Sequence, residues 1–378
     1  MPSHPEISVL VISYRFAPYL RQCLDSILGQ TLRPSQVVVV DDHSPDESWE
    51  IIQEYAARYP GVVEPQRPPQ NIGPREIGAF ARQFPNRELF CWIDGDDYWH
   101  PQKLEREWAA MEATGAQVAY SNTAVVDEQG KITSYFHNPM LKSMPAGDIF
   151  MPVLMRNLFS NTPNMFRNHL GYLKEFKRVH FMPDLSLESG WDYEEKLMVA
   201  AHLKIASTDP REPMVFYRRH STSYSQSSAG DAKHIRSELR ILQKHRDLIE
   251  KRNPGERALG ELYADLLIAA NRQHLPAEQQ AQFEPGKLYA AHKQRIQQSK
   301  VPEVQQLWKN ESGYFRGFKL HEIKEKLIAG QDELALLAFI QHLPEDPQLL
   351  EAIFSLTPEM FGRLQRAYRQ QMQKARRG

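Results

Sequence analysis

Cysteine is nearly absent: the 378 residues hold two, Cys23 and Cys91, each inside an apolar pattern. That excludes a disulfide framework and a thiolate metal site, and both read as buried free thiols. An excess of one charge is missing too. Lys and Arg number 46 against 47 Asp and Glu, a formal net charge of -1, so no global field favours nucleic acid or a membrane surface. No apolar run approaches the roughly 20 residues of a bilayer span. Met1-Pro2-Ser3-His4-Pro5-Glu6 lacks the basic and apolar regions of a signal peptide, so a cytoplasmic location is expected, with peripheral membrane contact left open.

What is there is an ordinary globular composition, 41% apolar and 25% charged, in a chain long enough for two or three domains. Ile7 to Ile12 is a continuous apolar run broken only by Ser8, the pattern of a strand buried on both faces. A helix follows, with Leu20, Leu24, Ile27 and Leu28 on one stripe. Gln36 to Val40 is a second buried strand, closed by Asp41-Asp42. Ser44-Pro45-Asp46-Glu47 then reads as a capping box with Ser44 at the N-cap, Pro45 at N1 and Glu47 at N3. A short strand at Val62-Val63, a Pro-rich loop from Gln66 to Pro74 and a helix from about Arg75 to Phe84 come next.

Leu89 to Ile93 is a further strand, and three acidic residues, Asp94, Asp96 and Asp97, crowd into the four positions after it. Carboxylates packed this closely repel one another, and a hard cation such as Mg2+ or Mn2+ relieves them; an Asp-Gly turn is the plainer alternative. A helix from Pro101 to Thr114 and a strand from Gln117 to Ser121 complete the alternation, which predicts an α/β unit with a largely parallel sheet. Asn122 to Asp148 is polar and loop-like, with an edge hairpin near Asp127-Glu128-Gln129-Gly130. The turn after the first strand, Ser13-Tyr14-Arg15-Phe16-Ala17-Pro18, has no glycine. The Gly-rich pyrophosphate turn and the GxxxxGK[ST] loop are both absent, so a diphosphate has to be held by a metal rather than by helix-terminal amides.

In this order and spacing the motifs resemble glycosyltransferase family 2, which has the GT-A fold. Val39-Val40-Asp41-Asp42-His43-Ser44-Pro45-Asp46 is similar to its Val-Asp-Asp-Gly-Ser-x-Asp stretch, Asn71-Ile72-Gly73 to its Asn-x-Gly, and the line from Ile93 through Asp94-Gly95-Asp96-Asp97 to Leu104 to its metal-binding DxD line. The resemblance implies a Rossmann-like, mainly parallel sheet flanked by helices. It places Tyr14, Asp41 and Asp42 at the nucleotide base, and Asp94, Asp96 and Asp97 at the divalent metal and the ribose-diphosphate. Asn71 and Arg75 join the donor side, Arg75 one helical turn before Gly78, where the family's loop carries an Arg. Arg15 stands where the family often has Asn, and His43 where it often has Gly.

Ser160 to Arg167 resembles the family's acceptor-side strand. In Gly190-Trp191-Asp192-Tyr193-Glu194-Glu195, the resemblance places the catalytic base at Asp192, with Glu188, Glu194 and Glu195 as competitors and a helix N-cap as the structural alternative. Tyr217-Arg218-Arg219-His220 resembles the closing segment, which implies His220 as a further metal or diphosphate ligand and Arg218 or Arg219 as the cation facing the leaving diphosphate.

Residues 1–228 are therefore expected to form the catalytic domain and 229–378 an all-α domain, with apolar stripes such as Leu334, Leu337, Ala338 and Phe339. Its basic end, Arg363 to Arg377, fits a solvated face or contact with anionic lipid or a partner protein. The implied function is inverting, metal-dependent transfer of a sugar, of hexosyltransferase type, from a nucleotide-diphosphate donor, UDP by resemblance, to a hydroxyl of a glycan, lipid-linked or protein-linked acceptor. Cell-surface polysaccharide synthesis is the implied setting. Mn2+ or Mg2+ is the expected cofactor, no nucleic acid partner is expected, and the oligomeric state is left open. A nucleotidylyltransferase would show a Gly-rich basic loop after the first strand, and a HAD-type phosphatase a DxD there; neither is present. A non-catalytic sugar-binding scaffold is the remaining alternative.

Overall fold

The computed structural model describes residues 5–137, 139–155, 164–167, 187, 191–220, 237–270, 278, 285–305, 316–343, 349–352 and 356–375. The chain divides into two compact units, Met1–Ile241 and Leu242–Gly378. The expected domain boundary at 228/229 falls outside the described residues, as do 160–163, Glu188, Gly190 and 221–225.

The first unit is built on a seven-stranded sheet of order β10-β6-β9-β4-β1-β2-β3. β1 (Ile7–Ser13) lies at its centre, parallel to β2 (Gln36–Asp41) on one side and to β4 (Leu89–Asp94) on the other. These are the continuous apolar runs of the sequence, and they are buried on both faces because helices cover both. β3 (Val63–Gln66) extends the sheet beyond β2, while β9 (Asn164–Arg167) runs antiparallel between β4 and β6 (Val118–Tyr120), and β10 (Ile205–Ser207) closes the far edge. Register places Ser13 beside Asp41 and Ile12 beside Asp94. The two acidic strand ends thus flank the end of β1, two strand spacings or roughly 10 Å apart. Strand order reverses at β1/β4, the position where open α/β sheets form a ligand crevice.

Helices α1 (Ala17–Leu28), α2 (Ser48–Arg58), α3 (Gly73–Ala81) and α4 (Lys103–Thr114) connect the strands. Leu20, Cys23, Leu24 and Ile27 of α1 pack with Ile52, Leu104 and Met111 into the main core. Ser44-Pro45-Asp46-Glu47 does not form the expected capping box. α2 begins at Ser48 behind Glu47, whose side chain makes no cap; Ser44 and Ser48 accept from amides of the facing loop, and Asp46 bridges that loop and the Ser48 amide.

A second sheet, β5-β11-β7-β8, stands beside the first. The segment expected as loop contributes the buried strand β7 (Thr123–Val126) and the exposed edge strand β8 (Ile132–Tyr135), joined across the predicted Asp127–Gly130 turn. Its apolar run, Ala124 to Val126, was too short to outweigh its polar flanks. β5 (Tyr98–Trp99) follows directly on the Asp94–Asp97 turn and pairs with β11 (Val215–Arg218), so this sheet anchors the acidic turn from outside.

The second unit is helical. Ile323, Leu327, Ala335, Leu336, Leu349, Leu356 and Leu364 are buried together in one cluster. Of the stripe read from sequence, Ala338 is buried but Leu334 and Leu337 are half exposed, and Ala335 and Leu336 are inside in their place. The helix Asp332–His342 is apolar around most of its circumference, so periodicity alone cannot choose its inner face.

Candidate active site

Two loops meet at the carboxyl ends of β1 and β2. Both hold a non-glycine residue in the left-handed region, Arg15 at φ 62° and His43 at φ 54°. That conformation costs free energy for any side chain with a Cβ. The loops are held by each other's side chains. Ser44 Oγ accepts from the Arg15 amide at 3.0 Å, Ser48 Oγ from Phe16 at 3.2 Å, and Asp46 Oδ2 from Ala17 at 3.1 Å. The amides that lead into α1 are thus taken by the chain itself, in keeping with the missing Gly-rich turn.

Asp41 is fully buried. Its Oδ2 accepts from the Ser44 amide at 3.0 Å and pairs with Arg67 Nε at 3.0 Å, while Oδ1 has no hydrogen-bond partner. Asp42 turns the other way and is saturated. Its carboxylate accepts from the amides of Ile72 and Gly73, each at 2.8 Å, and from Asn71 Nδ2 at 3.0 Å. Asn71 also donates to the Asp42 carbonyl at 2.6 Å. Tyr14 stands exposed at the rim with the Arg15 guanidinium over its ring. Of the nucleotide-side residues read from sequence, Tyr14, Asp41, Asp42 and Asn71 therefore share one crevice edge. Arg75 lies in the first turn of α3, and its side chain falls outside the described residues.

The acidic turn is drawn tight. The Asp97 amide donates to the Asp94 carbonyl at 3.0 Å, and Gly95 packs so closely on Leu20, Phe16 and the Ile12 carbonyl that a Cβ would come within 3.1 to 3.3 Å of them. Burial pushes the Asp94 carboxyl up to about 7, with the charges of Asp96 and Asp192 adding to it. Asp97 is pushed well above the usual carboxylate range, first by burial and then by Asp96 and Asp94, with Arg218 opposing. Its Oδ1 accepts from the Arg218 amide at 2.8 Å, and its Oδ2 is buried without a hydrogen-bond partner. Asp96 Oδ2 lies 3.0 Å from His220 Nε2, whose ring is buried beside Phe16 and Tyr19.

Arg218 is buried beside this turn. Its guanidinium donates to the carbonyls of Asp96, Asp127 and Glu128 and to Gln22 Oε1, and it lies over the rings of Tyr19 and Tyr98. A guanidinium committed to four acceptors fastens the acidic turn to the second sheet. His220 is held against the same turn by Asp96.

Crowded, desolvated carboxylates and an orphaned Asp97 Oδ2 fit a hard divalent cation by donor chemistry. Among the described residues no group of three or more His, Cys, Asp and Glu side chains is arranged to hold an ion alone. Mg2+-type sites on nucleotides commonly use one or two carboxylates and complete the shell with phosphate oxygens and water, so the two observations agree.

Asp192 lies in the first turn of the helix Trp191–His202. Its Oδ2 accepts from Lys196 Nζ at 3.0 Å, and its charge reaches Asp94. Asp192 and the acidic turn are therefore neighbours, although nearly 100 residues separate them in the chain. Sequence reading missed Arg67, Arg82 and Lys196. No local pattern marks Arg67 or Arg82, since their partners, Asp41 and Glu195, are distant in sequence. Lys196 was legible as the i+4 neighbour of Asp192.

Residues 8–179 match the family model described as glycosyl transferase family 2. An uncharacterized protein of Mycobacterium tuberculosis is 26% identical over 269 residues, 69% of this chain and 74% of that one. The poly(ribitol-phosphate) beta-glucosyltransferase of Bacillus spizizenii is 22% identical over 264 residues, 66% of this chain and 41% of that one. Among solved structures, S. aureus TarS 1-349 in complex with UDP-GlcNAc is similar with a TM-score of 0.54 at 17% identity, covering 86% of this chain and 92% of that chain. The fold is thereby the GT-A type.

Proposed function

We propose, from the match of residues 8–179 to the glycosyl transferase family 2 model, that the protein transfers a hexose from a UDP-sugar to an acceptor hydroxyl with inversion. The observation that carries the reading is the pairing of two carboxylates across one crevice: Asp94 closes β4 at the β1/β4 switch point, and it feels the charge of Asp192 from the helix opposite.

In this reading the exposed Tyr14 ring receives the nucleotide base, buried Asp41 braces the Ser44 turn and Arg67 behind it, and Asp42 holds the Asn71–Gly73 loop. Mg2+ or Mn2+ is the proposed cofactor, held by the Asp94, Asp96 and Asp97 cluster. When bound, such an ion supplies positive charge against a diphosphate. Asp192 accepts the proton of the acceptor hydroxyl as its oxygen attacks the anomeric carbon. The bond from that carbon to the diphosphate breaks on the far side, the electron pair leaves with the diphosphate, and the anomeric configuration inverts. Lys196 keeps the base oriented. The similar fold of a protein solved with UDP-GlcNAc and a relative named for glucosylating poly(ribitol phosphate) support a UDP-sugar donor and a cell-surface polymer acceptor.

The second unit supplies a further contact in this proposal. Among the described residues no helix is long and apolar enough to cross a membrane. The helix Pro358–Ala375 buries Leu364 and Ala367, and its last turns continue that stripe into solvent with Tyr368 and Met372 while Arg366 and Arg369 stand exposed around it. Exposed apolar side chains flanked by arginines suit the surface of an anionic lipid bilayer.

A thermal-shift comparison of UDP, GDP, CDP and TDP and their sugars, with and without Mn2+, tests the enzymatic reading. UDP species with Mn2+ are expected to raise Tm most. If no nucleotide stabilises the protein in either condition, the transferase reading fails.

A further inference from the structure

Arg82 and Glu195 join the two sides of the crevice, and neither has a part in the chemistry above. Arg82 caps the C-terminus of α3 and is 7% exposed. Its guanidinium carbon lies 4.4 Å from the centre of the Trp92 ring, and its terminal nitrogen donates to Glu195 Oε2 at 2.6 Å. Solvent-exposed ion pairs contribute little to a fold. This one is largely enclosed and seated on an indole, so breaking half of it leaves a charge poorly solvated.

Its position matters more than its strength. Trp92 lies two residues before Asp94 on β4, and alternation along a strand puts both on one face of the sheet. Glu195 lies three residues after Asp192, and positions three and four apart share one face of a helix. The helix therefore presents Asp192 and Glu195 to the same strand face that presents Asp94 and Trp92. Asp192 acts on Asp94, and Glu195 meets Arg82 above Trp92. Buried Tyr193, Leu197 and Ala200 seat the other face of the helix in the core, and the Arg82–Glu195 pair adds a polar tie on the crevice side, where Asp192 stands. The opposite end of α3 starts at Gly73, whose amide Asp42 holds. A single nine-residue helix thus connects the nucleotide edge of the crevice to the helix that carries the base.

We propose that the Arg82–Glu195 pair, seated on Trp92, is a clamp that fixes the register of the helix Trp191–His202 and so holds the Asp192 carboxylate opposite Asp94. The proposal rests on the transferase reading for its catalytic consequence. Both are positioning residues, acting through Asp192.

The test uses the full chain as wild type, Arg82→Gln, Glu195→Gln, the double variant and Arg82→Lys. Turnover is read as UDP release from UDP-GlcNAc or UDP-glucose, UDP affinity by calorimetry with Mn2+, and backbone protection of 191–202 by hydrogen exchange. Each single Gln variant is expected to lower kcat at least tenfold while UDP Kd and donor KM stay within twofold. Because the two side chains act as one pair, the double variant should be no slower than the slower single. Arg82→Lys should recover at least threefold over Arg82→Gln, and exchange over 191–202 should quicken at least tenfold in the Gln variants. A kcat within twofold of wild type, multiplicative losses in the double variant, or unchanged exchange overturns the clamp. If a single variant does not fold, the double, which leaves no charge unpaired, carries the same measurements. If wild type binds no nucleotide, the transferase reading falls, and hydrogen exchange alone then decides the clamp.

Discussion

Asp42 accepts the Gly73 amide at 2.8 Å, so the acid that follows β2 also fastens the start of α3. Gly73 has φ 82°, a left-handed backbone that its lack of a Cβ allows at that junction. Replacing Asp42 by Ala strands the Ile72 and Gly73 amides together. A loss of about 2 kcal/mol in denaturant unfolding is expected, with weaker UDP binding in calorimetry. Asp42→Asn keeps one acceptor oxygen and should lie between the two.

Asp192→Asn removes the proton acceptor and keeps the shape. Turnover should fall by roughly 10^2 to 10^4, read as UDP release, while UDP Kd stays within about twofold of wild type because Asp192 is not placed at the base of the nucleotide. Full turnover in this variant would remove Asp192 from the reaction.

His292 in the second unit is fully buried, and burial pulls its pKa from the ordinary value down to about 3. The folded chain therefore keeps it neutral where the unfolded chain takes up a proton. Its contribution to stability is complete above pH 6.5 and is lost as pH falls towards 3, by about 1.4 kcal/mol per pH unit. The Tm measured from pH 7 down to pH 5 should fall, and His292→Leu should flatten that fall.

Sedimentation with vesicles tests the lipid contact. Wild type should bind vesicles containing phosphatidylglycerol and not those of phosphatidylcholine alone, with binding weakened by salt. The pair Arg366→Gln and Arg369→Gln should reduce it at least tenfold. Equal binding to both vesicle types in low salt would rule out an electrostatic surface contact.

The main sheet was legible because its strands are continuous apolar runs, and a strand buried on both faces has no other stable home. The acidic ends were legible for the same reason: each sits where such a run stops. Positions set by contacts across the chain were not. Ser44 looks like a helix cap by spacing, yet its hydroxyl serves Arg15, 29 residues away. Arg218 looks like a free cation near a diphosphate, yet four interior acceptors hold it. Arg82 carries no local signature at all, since its meaning depends on Trp92 and Glu195 arriving at the same place. In the second unit, apolar residues on every side of the helix Asp332–His342 hid which side faced inward.

Asp46 sits at the start of α1, where its carboxylate already takes the Ala17 amide. An anion approaching that end of the sheet meets a like charge instead of open donors. On the proposed function, small anions gain nothing at this helix start, and binding has to come from the base at the rim or from a cation at the acidic turn.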